Sequence, residues 1–567
     1  MEAIEEPFWT ESRCHKHGWW LLLAVTLVLY LPGTATTPLL DRDEPRFAHA
    51  TVEMIERGSW AIPYFNGEYR FDKPPLTYWW MRMNYALLGV NEFSARLHSI
   101  TASFLTALVV AGMARRLARS AATGLLAGLF WLTSVQTIVH GRQCVADMPM
   151  ILFVVLACRA LVELLAIDLS EESAKPSSRW FWCLWLSLGA GFLAKGPVAW
   201  LVPALTLVLW RWVLWRKPLP WGRLRCFPGT IIVLLMVAAW GIPALIETKG
   251  AFWQIGIGEH VLKRGTDVFN GRKFIPGFYL VTTWMSLFPW AGFAVPAWRH
   301  LRSNWTAQTT FFAAWFIAPQ IIFFFYATQL PHYVMPGYPG YLILLALAWR
   351  QRNREEDALI PKVAKRLTLG CVVFVAAAWL LVSLMPMDHP AIRQMADSAL
   401  LVLTCVLVIG GAAACLAWKN GLSGKTAWLA AAAVLLTGAS LVPLAHALRE
   451  TSVPLRVAGL LGSASPEMRL VSCGYTEPSL VFHTDRQWLF TGEPADAKTH
   501  LQQPGTVAVV VIRQEWTLDR VFKRQPARYD PKIADELRSA PGVQSHVIEG
   551  FNTARTSWVE LVLLVRP

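Results

Sequence analysis

The sequence is short of charge. Asp, Glu, Lys and Arg make up 16% of its 567 residues, while 54% are hydrophobic. A water-soluble domain carries roughly a quarter charged residues, so this shortage excludes a soluble enzyme and a disordered chain. Cysteine is also scarce and badly placed for a framework. The nine Cys lie scattered, mostly inside apolar runs and with no CxxC pair, which excludes a disulfide scaffold and a zinc-finger pattern. Glycine and proline follow no collagen-like period. There is no internal repeat, and the one compositionally biased segment is the Ala-rich stretch at 412–433, ordinary for packed membrane helices. What the chain has instead is 29 Trp, 28 Phe and apolar runs near twenty residues long, the length that crosses a bilayer. These features describe a polytopic membrane protein.

Thirteen spans are expected, near 18–34, 98–114, 121–139, 146–166, 180–194, 196–210, 227–247, 276–297, 309–327, 334–349, 367–386, 398–418 and 426–446. The first is read as a membrane span. Gly33, Thr34 and Ala35 weakly resemble a cleavage site, but Glu2, Glu5, Glu6 and Glu11 precede the apolar run where a signal peptide is basic. With a cytoplasmic N-terminus, the short inside loops (115–120, 167–179, 211–226, 298–308, 350–366 and 419–425) hold 20 Lys and Arg against 6 Asp and Glu. The short outside loops hold only Arg142, Lys195 and Arg393 as basic residues. The asymmetry is that of the positive-inside rule, and it accounts for most of the net charge of +14 without nucleic acid as a partner.

This topology predicts three parts: a cytoplasmic N-terminus over 1–17, a transmembrane domain over 18–447 and an external domain over 448–567. Outer segments at 35–97 and 248–275 interrupt the spans. In the C-terminal part, "MRLVSCGY", "SLVFHT", "TVAVVVIR" and "SWVELVLLV" read as strands. Residues 530–540 read as an amphipathic helix between two of them. A small α/β domain in the outer compartment is expected.

Polar groups at a membrane boundary are costly unless solvated or paired, so their distribution is informative. The first outer segment holds "LLDRDEPRFAHA" (39–50) and "YRFDKPPLTYWW" (69–80). Arg142 and Asp147 flank the outer end of a span, and Lys195 occupies a tight outer turn. Glu259, His260, Lys263 and Arg264 follow, then His332 and Tyr333 in "QLPHYVMPGYPG". All of these fall on one face of the membrane. Carboxylates and cations converging there suit a phosphate-bearing lipid, since Arg and Lys neutralise phosphate. A nearby Asp can orient an acceptor, take a proton or bind a divalent cation. Tyr78, Trp79 and Trp80 suit a segment lying in the interface.

Each motif also has a structural reading. Asp43 can cap a helix with Pro45 in its first turn, "KPPL" can be a rigid turn, and Lys195 can snorkel between two spans. His260 has no second ligand at helical spacing. Asp147 can be a favourable charge at a helix N-terminus.

Taken together, the residues resemble the GT-C membrane glycosyltransferases, in the branch of the protein O-mannosyltransferases and the bacterial aminoarabinose transferases of lipid A. The resemblance runs over about 18–350. It rests on Asp43 to Ala48 (DE-x-R-[FY]-A), Phe71 to Pro74 ([FY]-[ED]-K-P), Asp147 opening the fourth span, the Lys195–Gly196 turn, the Glu259–His260 pair and Leu330 to Tyr333 (LP-x-Y), in the family's order. Thirteen spans with an external C-terminal domain match the aminoarabinose transferase layout as well.

The resemblance implies transfer of a sugar from a polyprenyl-phosphate donor, such as undecaprenyl phosphate, on the outer face of a bacterial inner membrane: 4-amino-4-deoxy-L-arabinose to lipid A, or another sugar to a glycan, lipid or protein. It implies Asp43 as main catalytic carboxylate and Asp147 as the second. Lys73 would contact phosphate, with Arg46, Arg142, Lys195 and Tyr333 lining the donor or acceptor site. It also implies a divalent metal, zinc or Mg/Mn, on Asp72 and His260. The chain departs from the family at Asp72, where Glu is usual, and at Gln329, where Lys is usual. Mechanistically the resemblance suggests inverting displacement at the anomeric carbon. Asp43 positions a phosphate acceptor or deprotonates a hydroxyl one, and the sequence leaves both open. A transporter or flippase for a lipid-linked anionic solute is the reading from another class. It calls for repeats and midplane charges, and the sequence has neither.

Overall fold

A computed structural model describes residues 10–165, 167, 177–218, 220–256, 274–351, 359–384, 390–421, 424–462, 465, 467–517, 520 and 525–566. Each of the thirteen expected spans coincides with helical backbone. Among the described residues six helices are long and apolar enough to cross a membrane, or eight if each of two bent pairs is one span. The helix over Asp147–Leu164 is as long but carries Asp147, Arg159 and Glu163.

In chain order the first elements are α1 (Glu11–Tyr30), α2 (Asp43–Glu56), the hairpin β1 (Tyr64–Phe65) and β2 (Glu68–Tyr69), and α3 (Leu76–Leu88). Then come α4 (Glu92–Ala118), α5 (Ala121–Leu132), α6 (Val135–Gly141), α7 (Asp147–Leu164) and α8 (Ser178–Lys195). α4 starts where Asn91 and Ser94 form a reciprocal capping box, satisfying backbone N–H groups that a helix start leaves unpaired. α5 and α6 bend by 65° at Thr133 and Ser134, whose hydroxyls turn back onto the carbonyls of Leu129 and Phe130. That bend brings the end of α6 toward the start of α7. The buried core of the bundle joins α1, α4, α5 and α7 to the helices Ala307–Phe324 and Tyr338–Arg350.

The outer segment 35–97 is a folded platform. Residues 64–69 form a two-residue hairpin through Asn66 (φ 58°) and Gly67 (φ 82°), the turn that matches strand twist. α2 and α3 pack together through Phe47, Met54, Tyr78 and Met81. Sequence periodicity marks neither helix, although Asp43 and Pro45 point to a helix start where α2 begins.

The C-terminal part forms a five-stranded sheet of β3 (Arg469–Cys473), β4 (Leu489–Thr491), β5 (Val507–Thr517), β6 (Gln544–Asn552) and β7 (Ser557–Arg566), in spatial order β4-β3-β5-β7-β6. β3 pairs parallel with β4 and β5; β7 pairs antiparallel with β5 and β6. The run "VAVVVI" is apolar at every position because both faces are covered. Val453, Val457 and Leu480 pack on the Ala508, Val510 and Ile512 side. Ala497, Leu501, Ala534 and Leu537 pack on the Val507, Val509 and Val511 side. The helix expected at 530–540 is present as Pro531–Arg538, capped by Asp530. One strand expectation is wrong: "SLVFHT" is a helix, Ser479–Thr484. Pro478 fixes its start. Its apolar residues face two different cores, Leu480 and Val481 toward the sheet and Phe482 toward α2 and α3. A strand in the sheet would serve only the first of these.

Candidate active site

Asp43 is the first residue of α2. The helix has Arg42 at its N-cap and no side-chain capping bond, so Asp43 does not serve as the cap. It is exposed and makes no hydrogen bond or ion pair among the described residues. Its neighbour Glu44 is the opposite case. Glu44 is buried, takes a two-pronged bond from Arg96 (Nε to Oε1 and Nη2 to Oε2, both 2.8 Å) and accepts the N–H groups of Leu40 and Cys144. Arg96 also donates to the carbonyls of Thr34, Thr37 and Pro38. The "DE" pair therefore divides into a free carboxylate and a structural one. Arg96 was not singled out from the sequence; its signal was a lone Arg at the mouth of an apolar helix, which demands a partner.

Beside Asp43 lies a cationic group on the platform. Arg70 donates to Asp72 Oδ2 at 3.2 Å and to Tyr78 Oη at 3.1 Å, and its guanidinium lies 5.3 Å from the Phe47 ring. Lys73 Nζ donates to Asp72 Oδ1 at 3.0 Å. Burial alone would lower Arg70, but Tyr78, Asp72 and Asp43 overcome it and its pKa rises. Arg46 goes the other way. Desolvation and the neighbouring Arg70 and Arg42 lower it, with Asp43 and Asp72 opposing. Arg46 is thus a cation crowded by cations, a setting that an anionic ligand would relieve.

The second carboxylate, Asp147, opens α7 without a capping bond and is buried. The end of α8 meets it: Lys195 Nζ donates to Asp147 Oδ1, with both side chains largely out of water. Gly196 reverses the chain immediately after, at φ +83°, where a side chain would be strained. His332 Nε2 stands 3.7 Å from the same Asp147 oxygen. The ring of Tyr333 lies 5.5 Å from Lys195 Nζ, a cation–π distance. Both come from the short 3-10 helix Pro331–Gly337.

His140, absent from the sequence-level candidates, completes this cluster. Its ring centroid is 4.4 Å from that of His332, and its Nδ1 meets Gln136 Nε2 at 2.8 Å. Gln136 in turn accepts from Ser286. Its signal was available, a His one turn from the end of an apolar run and two residues before Arg142. Asp43 acts electrostatically on His140 as well as on Arg46 and Arg70, so the two clusters share one polar region.

Arg142 is used differently from its neighbours. Its Nη1 donates to Leu29 O at 2.9 Å and Nη2 to Pro32 O at 2.5 Å. It braces the carbonyl end of α1 at the edge of the site. The metal implied by the family resemblance meets a difficulty. Each oxygen of Asp72 already holds a cationic nitrogen, and His260 lies outside the described residues. Among the described residues no group of three His, Cys, Asp or Glu could hold a metal ion. The described part of that site does not fit a cation.

Residues 18–253 match the family model of dolichyl-phosphate-mannose-protein mannosyltransferases. An undecaprenyl phosphate-alpha-4-amino-4-deoxy-L-arabinose arabinosyl transferase of Pseudomonas paraeruginosa is 31% identical over 74% of this chain and 75% of its own. One from Pseudomonas aeruginosa is 30% identical over 81% of each. Among solved structures, ArnT from Cupriavidus metallidurans bound to undecaprenyl phosphate superposes with a TM-score of 0.76 at 22% identity, covering 97% of this chain and 98% of that one. The oligosaccharyltransferase AglB of Archaeoglobus fulgidus shares the fold more distantly, with a TM-score of 0.52 at 10% identity over 88% of this chain and 70% of that one. The chain belongs to the family of undecaprenyl phosphate-alpha-4-amino-4-deoxy-L-arabinose arabinosyl transferases and is a multi-pass membrane glycosyltransferase of the GT-C fold.

Proposed function

We propose that this protein moves 4-amino-4-deoxy-L-arabinose from undecaprenyl phosphate to a phosphate of lipid A. The reaction would take place on the outer face of a bacterial inner membrane, with the N-terminus cytoplasmic and the C-terminal sheet domain periplasmic. The observation that carries the reading is the juxtaposition of an unpaired, exposed carboxylate, Asp43, with a cationic cluster of Arg46, Arg70 and Lys73. The family relationship supplies the donor and the sugar.

The proposed step is displacement at the anomeric carbon. The acceptor oxygen attacks, the bond from carbon to the lipid phosphate oxygen breaks, and configuration inverts. The leaving phosphate gains charge, and preorganised cations in a site shielded from water stabilise it far more than they would in bulk. This role is assigned to Lys73, Arg46 and Lys195, with Tyr333 packed beside Lys195. A phosphate acceptor is already nucleophilic, so Asp43 orients the sugar and balances the cations. With a hydroxyl acceptor Asp43 would take the proton. Asp147, held by Lys195 and near His332, sets the position of both.

The test is transfer by purified protein in detergent from a panel of radiolabelled undecaprenyl-phosphate sugars to lipid A. Expected is product from the aminoarabinose donor with wild type and none with a folded Asp43→Ala protein. Consumption of a different donor would correct the sugar. Equal turnover by Asp43→Ala would remove Asp43 from the mechanism.

A further inference from the structure

The segment that delivers Asp43 does not hold itself in place. The N–H of Asp41 donates to Thr553 Oγ1 at 3.2 Å. The Asp41 carboxylate accepts the N–H of Ser479 on Oδ1 at 2.9 Å and the hydroxyl of Ser479 on Oδ2 at 2.5 Å. Next in the chain, Arg42 Nε pairs with Glu477 Oε2 at 3.2 Å. Glu477 is fully buried, and its other oxygen is held by Asn552 Nδ2 at 3.2 Å and faces Arg555 Nε at 3.5 Å. Thus the two residues before Asp43 are committed to the C-terminal domain, more than four hundred positions away. The residue after it, Glu44, is committed to Arg96. Asp43, whose own side chain is tied to nothing described, is aimed by its neighbours.

Burying a carboxylate is expensive unless it is paired and hydrogen-bonded. Glu477 has no exposure and sits at the junction of two parts of the fold. An apolar side chain would fill that space at less cost. What the charge adds is directional control of Arg42.

We propose that Glu477 and Ser479 are positioning residues for the transfer reaction, and that the C-terminal domain acts as the clamp that fixes the working position of Asp43. The proposal rests on reading Asp43 as the carboxylate that faces the substrate. It gives the C-terminal domain a role in chemistry without substrate contact. A displacement of about 1 Å at a reacting group costs on the order of 10²-fold in rate.

The test uses the full chain in detergent with undecaprenyl-phosphate aminoarabinose as donor and lipid A as acceptor. Ser479→Ala and Glu477→Gln are expected to lower kcat by about tenfold or more while donor KM stays within about twofold. The apparent unfolding temperature should change little in Ser479→Ala and fall in Glu477→Gln, which leaves Arg42 and Arg555 facing a neutral group. Ser479→Thr, which keeps the hydroxyl, should restore most of the rate. Hydrogen exchange over 39–46 should rise in Ser479→Ala. If a domain variant fails to fold, Arg42→Gln breaks the same ion pair from the exposed side and carries the test.

Wild-type kcat in the folded variants would overturn the clamp, as would a rise in KM with kcat unchanged. Asp43→Asn is assayed in parallel. If it is inactive while the domain variants are fully active, the clamp alone fails. If Asp43→Asn itself turns over normally, the reading of Asp43 fails and the clamp with it.

Discussion

Replacing Lys195 by Met separates the two roles of the Asp147–Lys195 pair. The side chains are 14% and 8% exposed, well inside the range where an ion pair behaves as buried. A surface pair contributes about 0–1 kcal/mol. Removing one partner of a buried pair costs about 3–5 kcal/mol, because the other charge is left without compensation. In Lys195→Met the uncompensated group is Asp147, left with two histidines, His332 at 3.7 Å and His140. Chemical denaturation in mixed micelles should therefore show a loss of about 3–5 kcal/mol. Adding Asp147→Asn removes the stranded charge, so the double variant should recover part of that loss, with a coupling of about 1.5–3 kcal/mol. The rate should not recover. A preorganised donor to a developing anion is worth about 10²–10³ in kcat, and neither Met nor Asn replaces it. Single-variant stability losses that add within about 0.5 kcal/mol would refute the pairing. Full turnover by a folded Lys195→Met protein would refute the role of Lys195 in charge stabilisation.

Arg96→Met should destabilise the platform by about 3–5 kcal/mol, since it strands Glu44 and frees three carbonyls together. Loss of helix and protease cleavage within 35–60 would read it, and an unchanged melting profile would argue against the staple. Arg142→Met should lower the unfolding temperature more than it lowers kcat, because Arg142 braces the carbonyls of Leu29 and Pro32; a loss of rate at unchanged stability would move Arg142 into the phosphate site. Asp41 gives a pH dependence. Desolvation, reinforced by Glu477 and opposed by Ser479, raises its carboxyl to about 7 from 3.8. The folded state thus holds a proton that the unfolded state has released. This contribution is fully present below about pH 4, is lost as pH rises through about 7 and is flat above. Melting of the C-terminal domain followed from pH 5 to 8 should fall with rising pH in wild type and lose this slope in Asp41→Asn.

The bundle was legible because burial in a membrane needs runs of fixed length, and the outer cluster was legible because charges at its boundary stand out against apolar neighbours. Asp147 and Lys195 were found in this way, and they meet. The start of α2 was legible in Asp43 and Pro45, although the cap falls on Arg42; α3 and the length of α2 were not, since Pro, Arg and Trp interrupt their apolar pattern and packing on α4 and on the C-terminal domain stabilises them. His140 was missed because its one signal, a His near Arg142 at the end of an apolar run, names no partner; the 65° bend brings it to His332. The helix at 479–484 was read as a strand because three consecutive apolar residues in six fit either structure. Pro478 and the two separate cores decide it.

The adjacent carboxylates Asp43 and Glu44 show how far such reading can go. In sequence they are equivalent, two acids before a proline. Helix geometry turns consecutive side chains about 100° apart, so the two point in different directions. The direction that Glu44 takes is filled by Arg96, which needs a counter-charge at the mouth of α4. That requirement, set fifty residues downstream, leaves Asp43 pointing to open space beside Arg46 and Arg70. Exchanging the pair's chemistry therefore has unequal consequences. Glu44→Gln should cost stability with the carboxylate of Asp43 still in place, whereas Asp43→Asn should cost rate with the fold intact. Equal loss of stability in the two variants would mean that the division between them is wrong.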